Sequence, residues 1–153
     1  MGEAALENDS QVTFFVDTNI LVYGASTGRY RSPCLEILGA IAAGSADGKT
    51  SPAVMEEVWF LELSAKLGDL RGLTLRSYTV LAPLLPVTDE IFLAAMSLRA
   101  PNLGANDRIH AATCLSNRIP TIVSADSGFD GITGLRRVDP LDERARRSLI
   151  ASR

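Results

Sequence analysis

Apolar positions along the chain fall into two rhythms, short continuous runs and stripes of helical period. The first run, residues 12–16, is dense in β-branched and aromatic side chains and predicts a buried strand. Residues 18–24 then turn helical, and residues 26–30 form a polar loop around Gly28. Ser32-Pro33, a capping residue followed by proline at the first helical position, opens a second helix with the stripe Cys34, Leu35, Leu38, Ile41 and Ala42. Residues 44–48 end it, and residues 49–51 predict a short strand. Ser51-Pro52 repeats the cap-plus-proline start, for a helix carrying Val54, Met55, Val58, Leu61 and Leu63 to about Gly68. Residues 70–81 read as a helix weakened by Gly72, and Leu84-Leu85, bracketed by Pro83 and Pro86, as a short strand. Thr88 caps a helix with Asp89 and Glu90 in its first turn, stopped at Ala100-Pro101. Residues 104–117 give the next helix, 121–124 the clearest later strand, 126–130 a turn and 136–138 an edge strand. Asp139-Pro140 then opens a last helix to about Ile150. Strands alternating with helices indicate an α/β fold with a mainly parallel sheet.

Composition narrows the class. A chain of 153 residues that is 46% hydrophobic suits one domain with a well-buried core rather than a disordered chain. No apolar run approaches the roughly 20 residues needed to cross a bilayer. The first ten residues hold three acids and no base, the wrong charge for a signal peptide. They are expected to be a frayed tail before a single domain over residues 11–153, in a cytoplasmic protein with no membrane contact. Cys34 and Cys114 lie in helical stretches without metal-type spacing and read as buried thiols. A net charge of −3 argues against binding nucleic acid by bulk charge, although it leaves room for local basic patches or metal-bridged phosphate binding.

Four acids are oddly placed for surface charges. Asp17 follows the first strand, Glu57 sits among Val54, Val58 and Leu61, Asp107 lies in the first turns of its helix, and Asp126 follows strand 121–124. Parallel strands would bring Asp17 and Asp126 out on one sheet edge, where Ser51 opens the Glu57 helix. Carboxylates converging at one edge repel unless a cation lies between them, and carboxylates with water suit Mg²⁺ or Mn²⁺. Such ions activate water and stabilise charge in phosphoryl displacement. Each acid also has a simpler role: Asp17 as a helix N-cap, Asp107 as a dipole acid, Asp126 in an Asx-turn, and Glu57 as a residue whose helical position still reaches water. Their convergence favours the functional reading over four coincidences.

These residues carry a family resemblance. Residues 16–21, Val-Asp-Thr-Asn-Ile-Leu, look like the opening motif of PIN-domain nucleases. Ser51 followed six residues later by Glu57 is similar to their second motif, residues 106–112 to the third and residues 122–130 to the fourth. The order and separations match over residues 12–140, with the general look of a VapC-type toxin of a toxin–antitoxin pair. The resemblance implies a three-layer α/β/α sandwich and a Mg²⁺-dependent (or Mn²⁺-dependent) endoribonuclease. Asp17 and Asp107 would be the main metal ligands, Glu57 and Asp126 would complete the acidic cluster, and Asn19 and Ser124 would orient the ligands. Water activated by the metal would attack phosphorus in line and leave a 5′-phosphate and a 3′-hydroxyl. The implied partners are an RNA substrate, a cognate antitoxin protein and a second copy of the chain, with the apolar helix 70–81 one candidate surface for the dimer.

Several residues stay outside these motifs. Glu56 and Glu57 point about 100° apart on a helix, and spacing from Ser51 favours Glu57 as the inward one. Asp130 reads as a supporting or solvent-facing acid, with Phe129 packing inward. His110, the only histidine, is expected to be structural and partly exposed, because the family pattern asks for none there. Ser51 has no triad partners. Arg29, Arg31, Arg136, Arg137, Arg144, Arg146 and Arg147 could contact phosphate or form a solvated or partner-binding face. Two rivals remain. One is an aspartate-based phosphotransfer enzyme, for which Asn19 and the lack of a late lysine are poor matches. The other is a PIN-like module that binds RNA or protein without cutting.

Overall fold

The computed structural model describes residues 12–150. Four parallel strands, β1 (Thr13–Val16), β2 (Asp47–Lys49), β3 (Thr121–Val123) and β4 (Arg136–Val138), form one sheet in the order β2-β1-β3-β4. The helices are α1 (Thr18–Gly24), α2 (Arg31–Ala42), α3 (Pro52–Ser64), α4 (Leu73–Leu81), α5 (Asp89–Met96), α6 (Ala105–Ser116) and α7 (Glu143–Ile150). The expected α/β architecture is therefore present, with every strand pair among the described residues parallel.

Successive side chains of a strand point to opposite faces. Phe14 and Phe15 are both fully buried, so both faces of β1 are covered. The Phe14 ring shares its face with Ile41 of α2, and both crowd Gly48 on β2. A Cβ at Gly48 would lie 2.3 Å from Ile41 Cδ1, which is why the middle of this strand lacks a side chain. On the other face the Phe15 ring lies 5.8 Å from His110 of α6. Helices on both sides of a parallel sheet make the three-layer sandwich.

The chain leaves β1 toward β2 on one side and later returns to place β3 on the other. The carboxyl ends of β1 and β3 thus form a topological switch point, the place where open parallel sheets bind ligands. Asp17 N donates to Val123 O at 3.1 Å, and Thr50 Oγ1 donates to Val16 O at 2.9 Å. These bonds tie three strand ends together directly beneath the acids.

Several boundaries differ from the sequence reading. Residues 84–85 form no strand; instead Leu85 N donates to Thr50 O, so the segment braces a strand end. The helix expected over 70–81 begins at Leu73, behind Gly72 at φ +82°, a backbone conformation that glycine adopts readily. Carboxylate oxygens of Glu62 accept from the Gly72 and Thr74 amides there, serving as the cap that no side chain at 72 could supply. Helix α2 starts at Arg31, before Ser32, and α3 stops at Ser64 with Ala65 left-handed. Helix α5 ends at Met96, short of Ala100. Helix α7 starts at Glu143, because Asp139 uses its carboxylate in a turn with Leu141 N.

Thr88 does cap α5, accepting from Ile91 N at 3.2 Å. Thr88→Ala is expected to cost about 1 kcal/mol through the orphaned amide. The thermal midpoint should fall by about 2–4 °C, as read by calorimetry.

Candidate metal centre

The site grows from the end of β1. Asp17 is the extended N-cap of α1, and its Oδ1 accepts from Thr18 N at 2.8 Å. Its Oδ2 accepts from Ser124 Oγ at 2.6 Å and from Asn19 Nδ2 at 3.2 Å. Asn19 also donates to Ser124 Oγ and accepts from Ala125 N, which ties α1 to the end of β3. Ser124 Oγ in turn accepts from Asp126 N at 3.0 Å. Asn19 and Ser124 thus both donate to Asp17 Oδ2 and restrain its carboxylate. Asp126 lies on the exposed rim, where its carboxylate accepts from Gly128 N at 2.8 Å in the Asx-turn. Beneath that turn Phe129 is fully buried, as expected.

Glu57 reaches the cluster from α3. Its Oε1 accepts from Thr18 Oγ1 and lies 3.0 Å from His110 Nε2, and its Oε2 accepts from Asn106 Nδ2. Glu57 makes these contacts while the exposed Glu56 makes none of them, and both line the cavity. Asp107 enters from the first turn of α6. Oδ1 of Asp107 and Oδ1 of Asp17 each lie 3.9 Å from His110 Nε2.

The reading of His110 as partly exposed is corrected. Its side chain is fully buried and sits among Asp17, Glu57 and Asp107. Position i+3 from Asp107 places it one turn further along the same side of α6, and the sheet covers it. Thr18 and Asn106 were also missed as contacts of Glu57. The signal was their adjacency to Asp17 and Asp107, but hydroxyl and amide residues are common at helix starts for capping alone.

The charges are unevenly supported. Burial pushes the Asp107 carboxyl up to about 6, and the charges of Asp17, Glu57 and Asp126 add to that against the pull of His110. Burial also raises Asp17, opposed by His110 and by the bonds from Ser124 and Thr18. For Glu57, burial works against the charge, but the bonds from His110, Thr18 and Asn106 outweigh it and hold the carboxyl below its ordinary range. Burial likewise opposes charge on His110, and the Glu57 bond with the surrounding carboxylates outweighs it. For Asp17 and Asp107 the compensation thus falls short of the cost of burial, and the charged form of each is disfavoured.

A divalent cation fits this set. Asp17, Asp107 and His110 each offer an atom within 4.8 Å of the others, and Asp17 and Asp107 line a cavity of about 520 Å³. Two hard oxygen donors with space for water suit Mg²⁺ or Mn²⁺. The cavity is also lined by Asn19, Glu57 and Asp126, and Val22, Tyr23, Phe60, Leu61 and Leu67 form an apolar wall.

Among the described residues no arginine lines that cavity. Arg137 instead pairs with Asp130 at 2.9 Å and donates to Ser124 O, so Asp130 is a surface acid that anchors the β3–β4 edge. Arg146 pairs with Glu36 and Arg147 with Glu143. These three arginines are engaged in ion pairs and do not line the cavity. Cys34 and Cys114 are buried free thiols, and burial pushes the Cys34 thiol up to about 12. No helix among the described residues is long and apolar enough to cross a membrane.

The chain carries the PIN domain: residues 14–135 match that family's model, and the protein belongs to it. Solved structures share the fold. A toxin–antitoxin complex from Klebsiella pneumoniae is 24% identical, covering 82% of this chain and 96% of its own, with a TM-score of 0.58. VapBC2 from Rickettsia felis, bound to a DNA fragment from its promoter, is 17% identical over 83% and 98%, with a TM-score of 0.63. FitAcB from Neisseria gonorrhoeae is 17% identical over 84% and 99%, with a TM-score of 0.60. No curated protein matches the chain.

Proposed function

We propose that this PIN-domain protein is a metal-dependent endoribonuclease that acts as a toxin and is neutralised by a cognate antitoxin protein. The observation that carries the nuclease reading is the convergence of Asp17, Glu57, Asp107 and Asp126, from four separate elements, on one open cavity. Asp17 and Asp107 would hold Mg²⁺ or Mn²⁺. When bound, the ion supplies positive charge for the phosphoryl oxygens and acidifies water. Glu57, held ionised by its donors, orients the attacking water and accepts its hydrogen at a carboxylate oxygen. Asp126, on the rim, faces the incoming strand. Asn19 and Ser124 keep Asp17 from turning away.

The toxin reading is supported by the similarity to a structure described as a toxin–antitoxin complex, which covers 82% of this chain. A homodimer is part of the same reading, and the exposed Leu75 and Tyr78 on α4 offer an apolar surface for it. The purified protein should cleave single-stranded RNA in Mg²⁺ or Mn²⁺ and stop in EDTA, with 5′-phosphate ends on the products. RNA binding that survives EDTA without any cleavage would instead identify a non-catalytic module. Growth arrest on expression, relieved by the protein encoded next to it, tests the toxin reading.

A further inference from the structure

We propose that His110 is the positioning residue for Glu57 and not a ligand of the metal, an inference that rests on the nuclease reading of this site. Three donors converge on the Glu57 carboxylate: Thr18 from α1, and Asn106 and His110 from α6. Thr18, which lines the cavity, and Asn106 are partly exposed, whereas His110 is fully buried. Its ring packs against Phe15 of the central strand, so it cannot swing away. It is the fixed member of the three, and it sets where Oε1 stands.

His110 Nε2 is 3.0 Å from Glu57 Oε1, a hydrogen-bond distance, but 3.9 Å from both Asp17 Oδ1 and Asp107 Oδ1, too far for one. Nδ1 is buried with no hydrogen-bond partner, so the ring is anchored through Nε2. An ionised Glu57 only accepts, so Nε2 carries a proton and donates a hydrogen bond to it. Ligation through Nε2 would remove that proton and the bond to Glu57 with it. A catalytic group displaced by about 1 Å loses about 100-fold in rate, so the fixed ring has a large effect through a single bond.

The chain has one histidine, so nitrogen-15 NMR reads it without ambiguity. Nε2 should be protonated in the metal-free protein and remain so when Mg²⁺ is added. Loss of the Nε2 proton on adding Mg²⁺, or nitrogen coupling to bound Mn²⁺ in electron spin-echo spectra, would show ligation and overturn the proposal. In RNA cleavage, His110→Leu should lower kcat about 10–100-fold with little change in KM. His110→Gln, whose amide nitrogen reaches the Nε2 position, should recover most of that loss. His110→Leu should add nothing further in a Glu57→Gln background. Equal activity of the wild type and His110→Leu, or additive losses in the double variant, would also overturn it. If the wild type cuts no RNA, the nuclease reading fails while the NMR result still decides the tautomer.

Discussion

Asp107→Asn is expected to abolish RNA cleavage while making the metal-free protein more stable. The two effects have one origin. Asp107 is pushed up to about 6 by burial and by the charges of Asp17, Glu57 and Asp126. A neutral amide of the same shape removes that repulsion and with it the charge that would attract a cation. Loss of outer partners of a metal site costs about 10–100-fold, and loss of a direct ligand should cost at least about 100-fold. Asp17→Asn should be as inactive, but without the gain in stability. Asp17 accepts hydrogen bonds at both oxygens, from Thr18 N on one side and from Ser124 and Asn19 on the other. An amide nitrogen facing either side would meet a donor. Cleavage rates in Mg²⁺ and thermal midpoints in EDTA check both variants. Undiminished metal-dependent cleavage by the pair would remove Asp17 and Asp107 from the reaction.

The residues most legible from sequence were those governed by local rules. Strand β1, the position of Asp17 at its end and the Asx-turn at Asp126 follow from short-range pattern and turn chemistry. Asp17 and Asp126 could be placed on one edge because parallel strands share a carboxyl end; Glu57 followed from Ser51 at that edge, and Asp107 from the family resemblance. What escaped depended on contacts between elements. Helix α4 starts three residues late because a glutamate from α3 caps it across space. Leu84-Leu85 resembled a strand by composition, yet Leu85 makes its backbone bond to a strand end without joining the sheet. His110 shows the limit most clearly. A lone histidine beside alanines has no periodicity that distinguishes a surface ring from one closed in by Phe15, Asp17 and Glu57.

Without metal, the protein should lose stability as pH rises from about 5 to 7, and a divalent cation should reverse that trend. The folded-state values of Asp107, Asp17 and His110 are all raised. The native state therefore binds more protons than the unfolded chain between each unfolded value and its folded one, and stability falls with pH across that window. For Asp107 the window runs from 3.8 to about 6. For His110 the contribution is present below 6.5 and lost above it. Glu57 acts in the opposite sense, because its value is lowered, but only below 4.5. A shift of two units corresponds to about 3 kcal/mol. The Asp107 side chain is 31% exposed, so solvent screening reduces the expected share to about 1–2 kcal/mol. Urea denaturation in EDTA at several pH values measures the slope, and Asp107→Asn should flatten it. With Mg²⁺ or Mn²⁺ present the order inverts, because the ion binds only the deprotonated carboxylates and its stabilisation grows with pH. A metal-free slope unchanged by Asp107→Asn would show that the repulsion does not reside in this cluster.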